Sequence, residues 1–99
     1  MEPRVEVSRY TVSVMPEGSN PRNRYHLDLT VEHIRDDMWA VRNSIGQSLG
    51  PDGTWSLDHR SYDLDTALQL AKEAAPKVDL ASGMTPAQCI EWEVSRRGA

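Results

Sequence analysis

Residues 38–78 read MWAVRNSIGQSLGPDGTWSLDHRSYDLDTALQLAKEAAPKV, a stretch that joins a turn between apolar segments to an amphipathic helical pattern. In the turn GPDGT at residues 50–54, proline presets φ for a type I turn, and Gly53 can adopt the left-handed conformation of a hairpin bulge. The stretch therefore predicts a β-hairpin whose strands are built on residues 39–49 and 55–59.

The length of this turn also predicts which side chains share a face of the sheet. Pairing the two ends of the turn places Leu49 opposite Trp55, so odd-numbered residues lie on one side. A short connection at residues 35–37 that pairs Ile34 with Met38 gives the preceding strand the same parity. The large apolar residues predicted on this side are Tyr25, Leu27, Leu29, Val31, Trp39, Val41, Ile45, Leu49, Trp55 and Leu57.

A helix after the hairpin is predicted to cover that face. Asp63, or Ser61, can accept a hydrogen bond from the free amides of the first turn, and Asp65 suits the positive end of the helix dipole. Pro76 is expected to end the helix or to kink its last turn. The small and apolar residues that fall within one arc are Leu64, Ala67, Leu68, Leu70, Ala71, Ala74, Ala75 and Val78.

Two further strands are predicted before the hairpin. Residues 5–15 and residues 25–34 both alternate between apolar and polar side chains, as half-buried strands do. The segment between them, residues 15–24, is rich in Pro, Gly, Ser and Asn and predicts a loop. Residues 77–81, after the helix, favour a connector over a fifth strand.

A second helix is predicted near the end of the chain. Thr85 is typical of an N-cap, and Pro86 suits the first helical position, so the helix is expected to run from residue 86 to about residue 97. Its core-facing stripe is predicted to hold Ala87, Ile90, Val94 and the preceding Met84. The complete prediction is an α+β fold in one domain, residues 1–99, with a four-stranded antiparallel meander, one amphipathic helix packed on one face and a C-terminal helix.

Composition excludes several classes of protein. The chain has 99 residues, 38% hydrophobic and 26% charged content, and a formal charge of −4, which is ordinary for a globular protein. No stretch is apolar enough for a membrane helix, and the first residues do not form a signal segment, which predicts a cytoplasmic protein without membrane contact. Nine arginines, two lysines and no phenylalanine suggest a high-GC genome.

The sequence offers little for catalysis. Cys89 is the only cysteine, which excludes an internal disulfide and a multi-cysteine zinc site. His26 and Asp28 are predicted to share a strand face with Thr30 and Glu32, which would suit a metal ion or a general base, but a solvated sheet face is the simpler interpretation. We predict no enzyme, no metal site and no cofactor, and keep a small enzyme with a histidine and carboxylate site as the second alternative.

Arginines provide the candidates for phosphate or nucleic-acid contact. Arg22, Arg24 and Arg42, together with Arg9 and Arg60, can line a phosphate-binding surface. Neutralising a nucleic-acid backbone requires a basic surplus, which an acidic chain lacks. Nucleic acid is therefore an alternative partner that the charge disfavours.

Two family resemblances accompany this alternative. The strand residues Trp-Ala-Val-Arg at 39–42, the Asp-Gly turn at 52–53 and the segment YDLDTAL at 62–68 look like the arm-binding domains of tyrosine recombinases. The segment from Leu64 to Ala74 also resembles the helix entry of small antitoxins with a degraded double-stranded-RNA-binding fold. These resemblances imply nucleic-acid contact, through the exposed sheet face for the first family, or toxin capture.

Trp92 is the residue that best indicates a partner surface. It points away from the predicted core stripe of the last helix and lies beside Cys89, so both are candidate partner contacts. The alternative is that the helix lies in a groove and buries both sides. We predict a non-catalytic protein-interaction module that self-associates or binds a protein partner. Its size and composition suggest a small accessory protein encoded by a phage or mobile element of a high-GC bacterium, acting in the host cytoplasm if phage-encoded.

Overall fold

The computed structural model describes residue 3, residues 6–78 and residues 83–97 of the chain. Within these ranges the fold is α+β, as predicted, with an antiparallel sheet of five strands and three α-helices. None of these helices is both long and apolar enough to cross a membrane. In chain order the elements are β1 (Arg9–Val12), α1 (Pro21–Leu27), β2 (Leu29–Arg35), β3 (Met38–Arg42), β4 (Ser48–Leu49), β5 (Trp55–Ser56), α2 (Leu64–Ala74), a 3-10 turn (Ala75–Lys77) and α3 (Pro86–Arg97).

The sheet has five strands and not the predicted four, because an extra hairpin divides residues 39–49. The backbone amide of Asn43 donates to the carbonyl oxygen of Gln47 at 3.2 Å, and Gly46 has a φ of +82°. The Asn43 side-chain oxygen accepts hydrogen bonds from the backbone amides of Ile45 and Gln47, at 3.2 and 2.9 Å. An asparagine that bonds its own turn and a glycine in the left-handed region outweigh the apolar alternation of this stretch.

This extra hairpin preserves the predicted parity while it exposes two predicted core residues. Because Arg42 pairs with Ser48, the odd-numbered residues on either side of the loop still face the same way. The predicted pairing of Leu49 with Trp55 is confirmed. However, Ile45 lies in the loop and Leu57 lies beyond β5, and they are 73% and 80% exposed. Their predicted place in the core is wrong.

The predicted strand over residues 25–34 begins only at Leu29, because the preceding residues form α1. Asn20 caps this helix by accepting a hydrogen bond from the backbone amide of Arg22 at 2.9 Å, and Pro21 occupies the first helical position. Tyr25 is therefore on a helix and 69% exposed. Leu27 is buried, but in a second cluster and not on the sheet. The predicted loop over residues 15–24 is in part this helix.

The connection between β2 and β3 has a bulge that the sequence did not indicate. The pairings of His33 with Trp39 and of Val31 with Val41 follow the predicted register. At the tip, however, Arg35 pairs with Met38 in place of the predicted Ile34, because the register shifts between residues 33 and 35. The turn is closed by Asp36 with a φ of +46°.

The main core lies between the sheet and α2, as predicted. Asp63 caps α2 through the backbone amide of Thr66 at 3.2 Å, and the helix ends at Ala74, followed by the 3-10 turn that contains Pro76. Its alanines at the sheet side are fully buried, which allows the helix axis to lie close to the strands. The buried residues of this cluster are Leu29, Val31, Trp39, Val41, Leu49, Ala67, Ala71 and Ala75.

Short elements flank this core. Of the predicted strand over residues 5–15, the part that pairs with β2 is β1, in which Tyr10 faces Val31 and Val12 faces Leu29. The segment over residues 77–81, predicted as a connector, lies mostly outside the described residues. Helix α3 starts at Pro86 and runs to Arg97 as predicted, and Thr85 and Gln88 form a reciprocal capping box at its start, at 3.2 and 2.9 Å.

Candidate functional site

The sheet face opposite α2 carries small and polar side chains, and we refer to it as the open face. Strand register places these residues on it, since their sequence neighbours point into the main core. Ala40 and Ser48 are short and lie below their longer neighbours, at 2% and 5% exposure. From β1 to β5 the open face consists of Arg9, Thr11, Thr30, Glu32, Ala40, Arg42, Ser48 and Ser56.

Glu32 lies between two arginines on this face. Its carboxylate oxygens are 3.1 Å from Arg42 Nε and 4.0 Å from Arg9 Nη1. The side chains of Glu32 and Arg42 are about one-third exposed, so the closer pair lies against the sheet and not in bulk solvent. One carboxylate shared by two guanidinium groups leaves the cluster with a net positive charge.

A groove runs from this cluster along β3, and we call it the arginine groove. Its cavity volume is about 340 Å³. Small residues of β3 and β4 form the floor of the groove. The end of β2 and the start of β3 form one wall, and the segment that precedes α2 forms the other wall. The groove is lined by Ile34, Arg35, Met38, Ala40, Arg42, Ser48, His59, Arg60 and Ser61.

Tyr62 holds the second wall of the arginine groove in place. Its backbone exchanges two hydrogen bonds with Trp39, both of 2.7 Å, so the preceding residues lie against the sheet. Its hydroxyl donates to the carbonyl oxygen of Leu49 at 2.9 Å. Burial raises the pKa of Tyr62, which keeps the hydroxyl protonated and able to donate. The wall is therefore positioned by both backbone and side chain.

Three of the five arginines predicted for phosphate contact, those first named, lie on two different elements. Arg22 and Arg24 belong to α1, while Arg42 lies on β3. Arg24 Nε is 3.4 Å from the carboxylate of Asp28, four residues further on. Arg42 is paired with Glu32 in the cluster on the open face. Two of the three charges are thus engaged by carboxylates of the chain itself.

The histidine and carboxylate pattern predicted on β2 is not assembled on one strand. His26 belongs to α1, so it does not share a strand face with Thr30 and Glu32. His33 packs against Trp39 in a tilted arrangement, with ring centroids 5.0 Å apart, and its Nε2 donates to the carbonyl oxygen of Asp36 at 2.7 Å. The part of the chain that the structure describes contains no cluster of three histidine, cysteine or acidic residues able to hold a metal ion.

The buried side of α3 matches the predicted stripe only in part, since Met84 and Ile90 pack against the second cluster while Ala87 is exposed. Val94, predicted to face the core, is 61% exposed, whereas Cys89 and Glu93 are 1% and 9% exposed. Cys89 packs against Met15 and Leu27 in the second cluster. Glu93 Oε1 accepts hydrogen bonds from the backbone amide of Asn20 at 2.9 Å and from Asn23 Nδ2 at 3.1 Å. These polar contacts rotate the helix away from the stripe that hydrophobicity alone predicts.

Of the two predicted partner contacts, the rotation of α3 leaves Trp92 at the surface and Cys89 inside. Trp92 is 47% exposed and immediately precedes the anchored Glu93. Burial, with the nearby charge of Glu93, raises the pKa of the Cys89 thiol and disfavours its reactive thiolate. The outer side of α3 therefore presents an aromatic ring and not a nucleophile.

Sequence reasoning missed two features of these surfaces. The first is the burial of Glu93. It lies four residues after Cys89 and seven after the buried Pro86, a helical spacing that indicates a shared face. The arginine groove was missed because it needs the β2–β3 bulge and the chain segment before α2, which no local pattern indicates. Arg42 and Arg60 were identified as candidates, but Arg35 and the apolar residues of the groove were not.

No family model, curated protein or solved structure matches the chain. The resemblances to recombinase arm-binding domains and to small antitoxins stay predictions. Function is therefore inferred from the geometry of the open face, the arginine groove and α3.

Proposed function

We propose that the protein is a non-catalytic protein-interaction module, and that it makes contact through the outer side of α3. The observation that supports this most directly is the presentation of Trp92 on a helix that is locked by Glu93 and Cys89. Self-association is the form of interaction that we consider first. Size and arginine-rich composition fit an accessory protein of a phage or mobile element from a high-GC bacterium.

Rigid presentation is what makes the tryptophan suited to binding. Tryptophan is among the residues that contribute most to protein interfaces, because a large ring is buried with little loss of side-chain freedom. The hydrogen bonds from α1 to Glu93 fix the rotation of α3 about its axis. A partner therefore meets Trp92 in a defined orientation.

Sedimentation over a range of protein concentrations tests the proposal. The wild type is expected to show a mass that rises with concentration, and Trp92→Ala is expected to weaken association by at least about tenfold, the usual effect of removing a central aromatic contact. Tyr25→Ala is the matched control, since it removes an aromatic ring of higher exposure from α1. Circular dichroism checks that both variants fold.

Two results would contradict this proposal. A wild type that stays monomeric at all concentrations would exclude self-association. A folded Trp92→Ala variant with the same concentration dependence as the wild type would exclude Trp92 as the contact.

A further inference from the structure

We propose that the arginine groove binds a short acidic peptide segment of a partner protein, with an apolar side chain flanked by carboxylates. The inference rests on the proposed function, in which the protein acts by binding another protein. It concerns a different surface from the outer side of α3, and it assigns the chemistry of the partner.

The charge of the groove is the first observation. Every residue in its lining that is always charged is an arginine, namely Arg35, Arg42 and Arg60, in a chain whose formal charge is −4. Arg42 is paired with Glu32, but within the described residues neither Arg35 nor Arg60 forms an ion pair. The groove thus holds two guanidinium groups on opposite walls that can pair with carboxylates from outside.

Asp52 does not neutralise the positive charges of Arg35 and Arg60. Its charge lies within electrostatic reach of Arg60, but its Oδ1 accepts hydrogen bonds from the Thr54 hydroxyl at 2.6 Å and from the Thr54 amide at 3.2 Å. Its carboxylate is thereby held in its own turn.

Apolar exposure is the second observation. Ile34 and Met38, on the wall that carries Arg35, are 46% and 37% exposed. The bulge at the end of β2 places Ile34 beside the β2–β3 turn, and Ile34 has no paired residue on β3. Apolar surface next to arginines favours a ligand that brings both an apolar group and negative charge.

These features together favour a peptide over a nucleic acid. Affinity for nucleic acid comes largely from phosphate contacts made by several Lys and Arg side chains, whereas the groove offers three arginines, one of them already neutralised. The negative charge of the chain repels an extended polyanion along its whole length, whereas a short acidic segment approaches only the arginines of the groove. A cavity of about 340 Å³ accommodates one apolar side chain with a carboxylate on either side.

Fluorescence anisotropy with defined probes tests the inference on the full chain. The probe is a labelled octapeptide with one leucine between runs of Asp and Glu. Comparison peptides carry serine in place of leucine, or Asn and Gln in place of all the acids. A single-stranded and a duplex DNA oligonucleotide serve as phosphate-bearing probes. We expect the acidic leucine peptide to bind best, and added salt to weaken it.

Variants locate the binding. Arg60→Glu is expected to weaken the acidic peptide by about tenfold, because it replaces attraction by repulsion at the wall. Lys72→Glu is the matched control, since it changes the net charge equally on the exposed side of α2. Ile34→Ala is expected to reduce by about threefold the preference for the leucine peptide over the serine peptide.

Each alternative outcome overturns the inference. Equal binding of the acidic and amide peptides would remove the role of charge. Equal weakening by Arg60→Glu and Lys72→Glu would place the ligand outside the arginine groove. Tighter binding of an oligonucleotide, lost in Arg60→Glu, would identify a phosphate-bearing ligand in place of the peptide. If peptide binding fails while association still depends on Trp92, the groove inference alone is wrong; the reverse result removes only the proposal for α3.

Discussion

The two buried clusters of this protein are built in different ways. The main core, between the sheet and α2, contains eight buried apolar residues drawn from regular periodic segments. Among the described residues, the second cluster, between α1 and α3, contains three, Met15, Leu27 and Cys89, and is supplemented by the hydrogen bonds of Glu93. Periodicity predicted the first cluster, whereas the second depends on partners some seventy residues apart in sequence.

This difference suggests that the two regions respond differently to mutation. The main core joins α2 to three strands, so loss of packing there affects most of the fold. Among the described residues, the α1–α3 region has fewer buried apolar side chains, and it relies on a buried carboxylate whose hydrogen bonds are costly to leave incomplete. We therefore expect global unfolding to follow the main core and local opening to follow the second cluster.

The largest expected effect comes from a matched pair of leucine truncations. Leu29→Ala in the main core is expected to lower the free energy of unfolding by about 3 kcal/mol, through lost burial and a cavity. Leu27→Ala makes the same deletion in the second cluster, where Leu27 is 1% exposed. Chemical denaturation gives the two free energies, and amide hydrogen exchange shows where each variant opens.

The exchange pattern decides whether the two clusters are separate units. We expect faster exchange across the sheet in Leu29→Ala, and faster exchange confined to α1 and α3 in Leu27→Ala. The same exchange pattern in both variants would mean that the two clusters unfold as one unit, which would contradict their description as separate regions.

The next effect isolates the polar contacts of the second cluster. Glu93→Ala is expected to cost about 2 kcal/mol, because the backbone amide of Asn20 and the side chain of Asn23 lose their common acceptor. Glu91→Ala removes an exposed carboxylate from the same helix and is expected to stay within about 0.5 kcal/mol of the wild type. Thermal or denaturant unfolding measures both, and equal effects would refute the anchoring role of Glu93.

The smallest effect concerns acid and the cap of α2. Hydrogen bonds from the hydroxyl and then the backbone amide of Thr66 hold the pKa of Asp63 below its ordinary value of 3.8. A lowered folded-state pKa stabilises the protein above the unfolded-state pKa, and this contribution is lost as pH falls through the folded-state pKa. Asp63→Asn retains a capping side chain that does not titrate, so its unfolding free energy should fall less steeply below pH 3.8.

Asn20 caps α1 with a side-chain amide, which does not titrate, so protonation of the capping side chain should not weaken that cap at low pH. If Asp63→Asn and the wild type lost stability equally as the pH falls, the Asp63 carboxylate would not contribute to the acid dependence of stability.

Local signals were sufficient for the elements that belong to the main core. The turn at residues 50–54 and the Asp63 cap each act through neighbouring residues, and the predicted register and helix followed from them. The capping signal of Asn20 and Pro21 is of the same kind as that of Thr85 and Pro86, but the apolar alternation after it predicted a strand. Asn43 was misread in the same way, since its turn interrupts an alternating segment.

The candidate site could be predicted only in part. Arg42 and Trp92 were identifiable because a charge on a strand and an aromatic ring off a helical stripe are local observations. The rotation of α3 was not, because it is set by hydrogen bonds between Glu93 and α1. The arginine groove requires Arg35 and Arg60 to lie on facing walls, which depends on the bulge and on the pairing of Tyr62 with Trp39.

The three tryptophans of the chain lie in surroundings that differ in polarity, and this makes them intrinsic optical probes. Trp39 is buried, Trp55 is half-buried beside the main core, and Trp92 is half-exposed on α3. Because indole emission shifts with the polarity of its surroundings, single-tryptophan variants would give separate unfolding traces for the sheet and for α3. The molecule thus carries its own reporters for following both regions without an added dye.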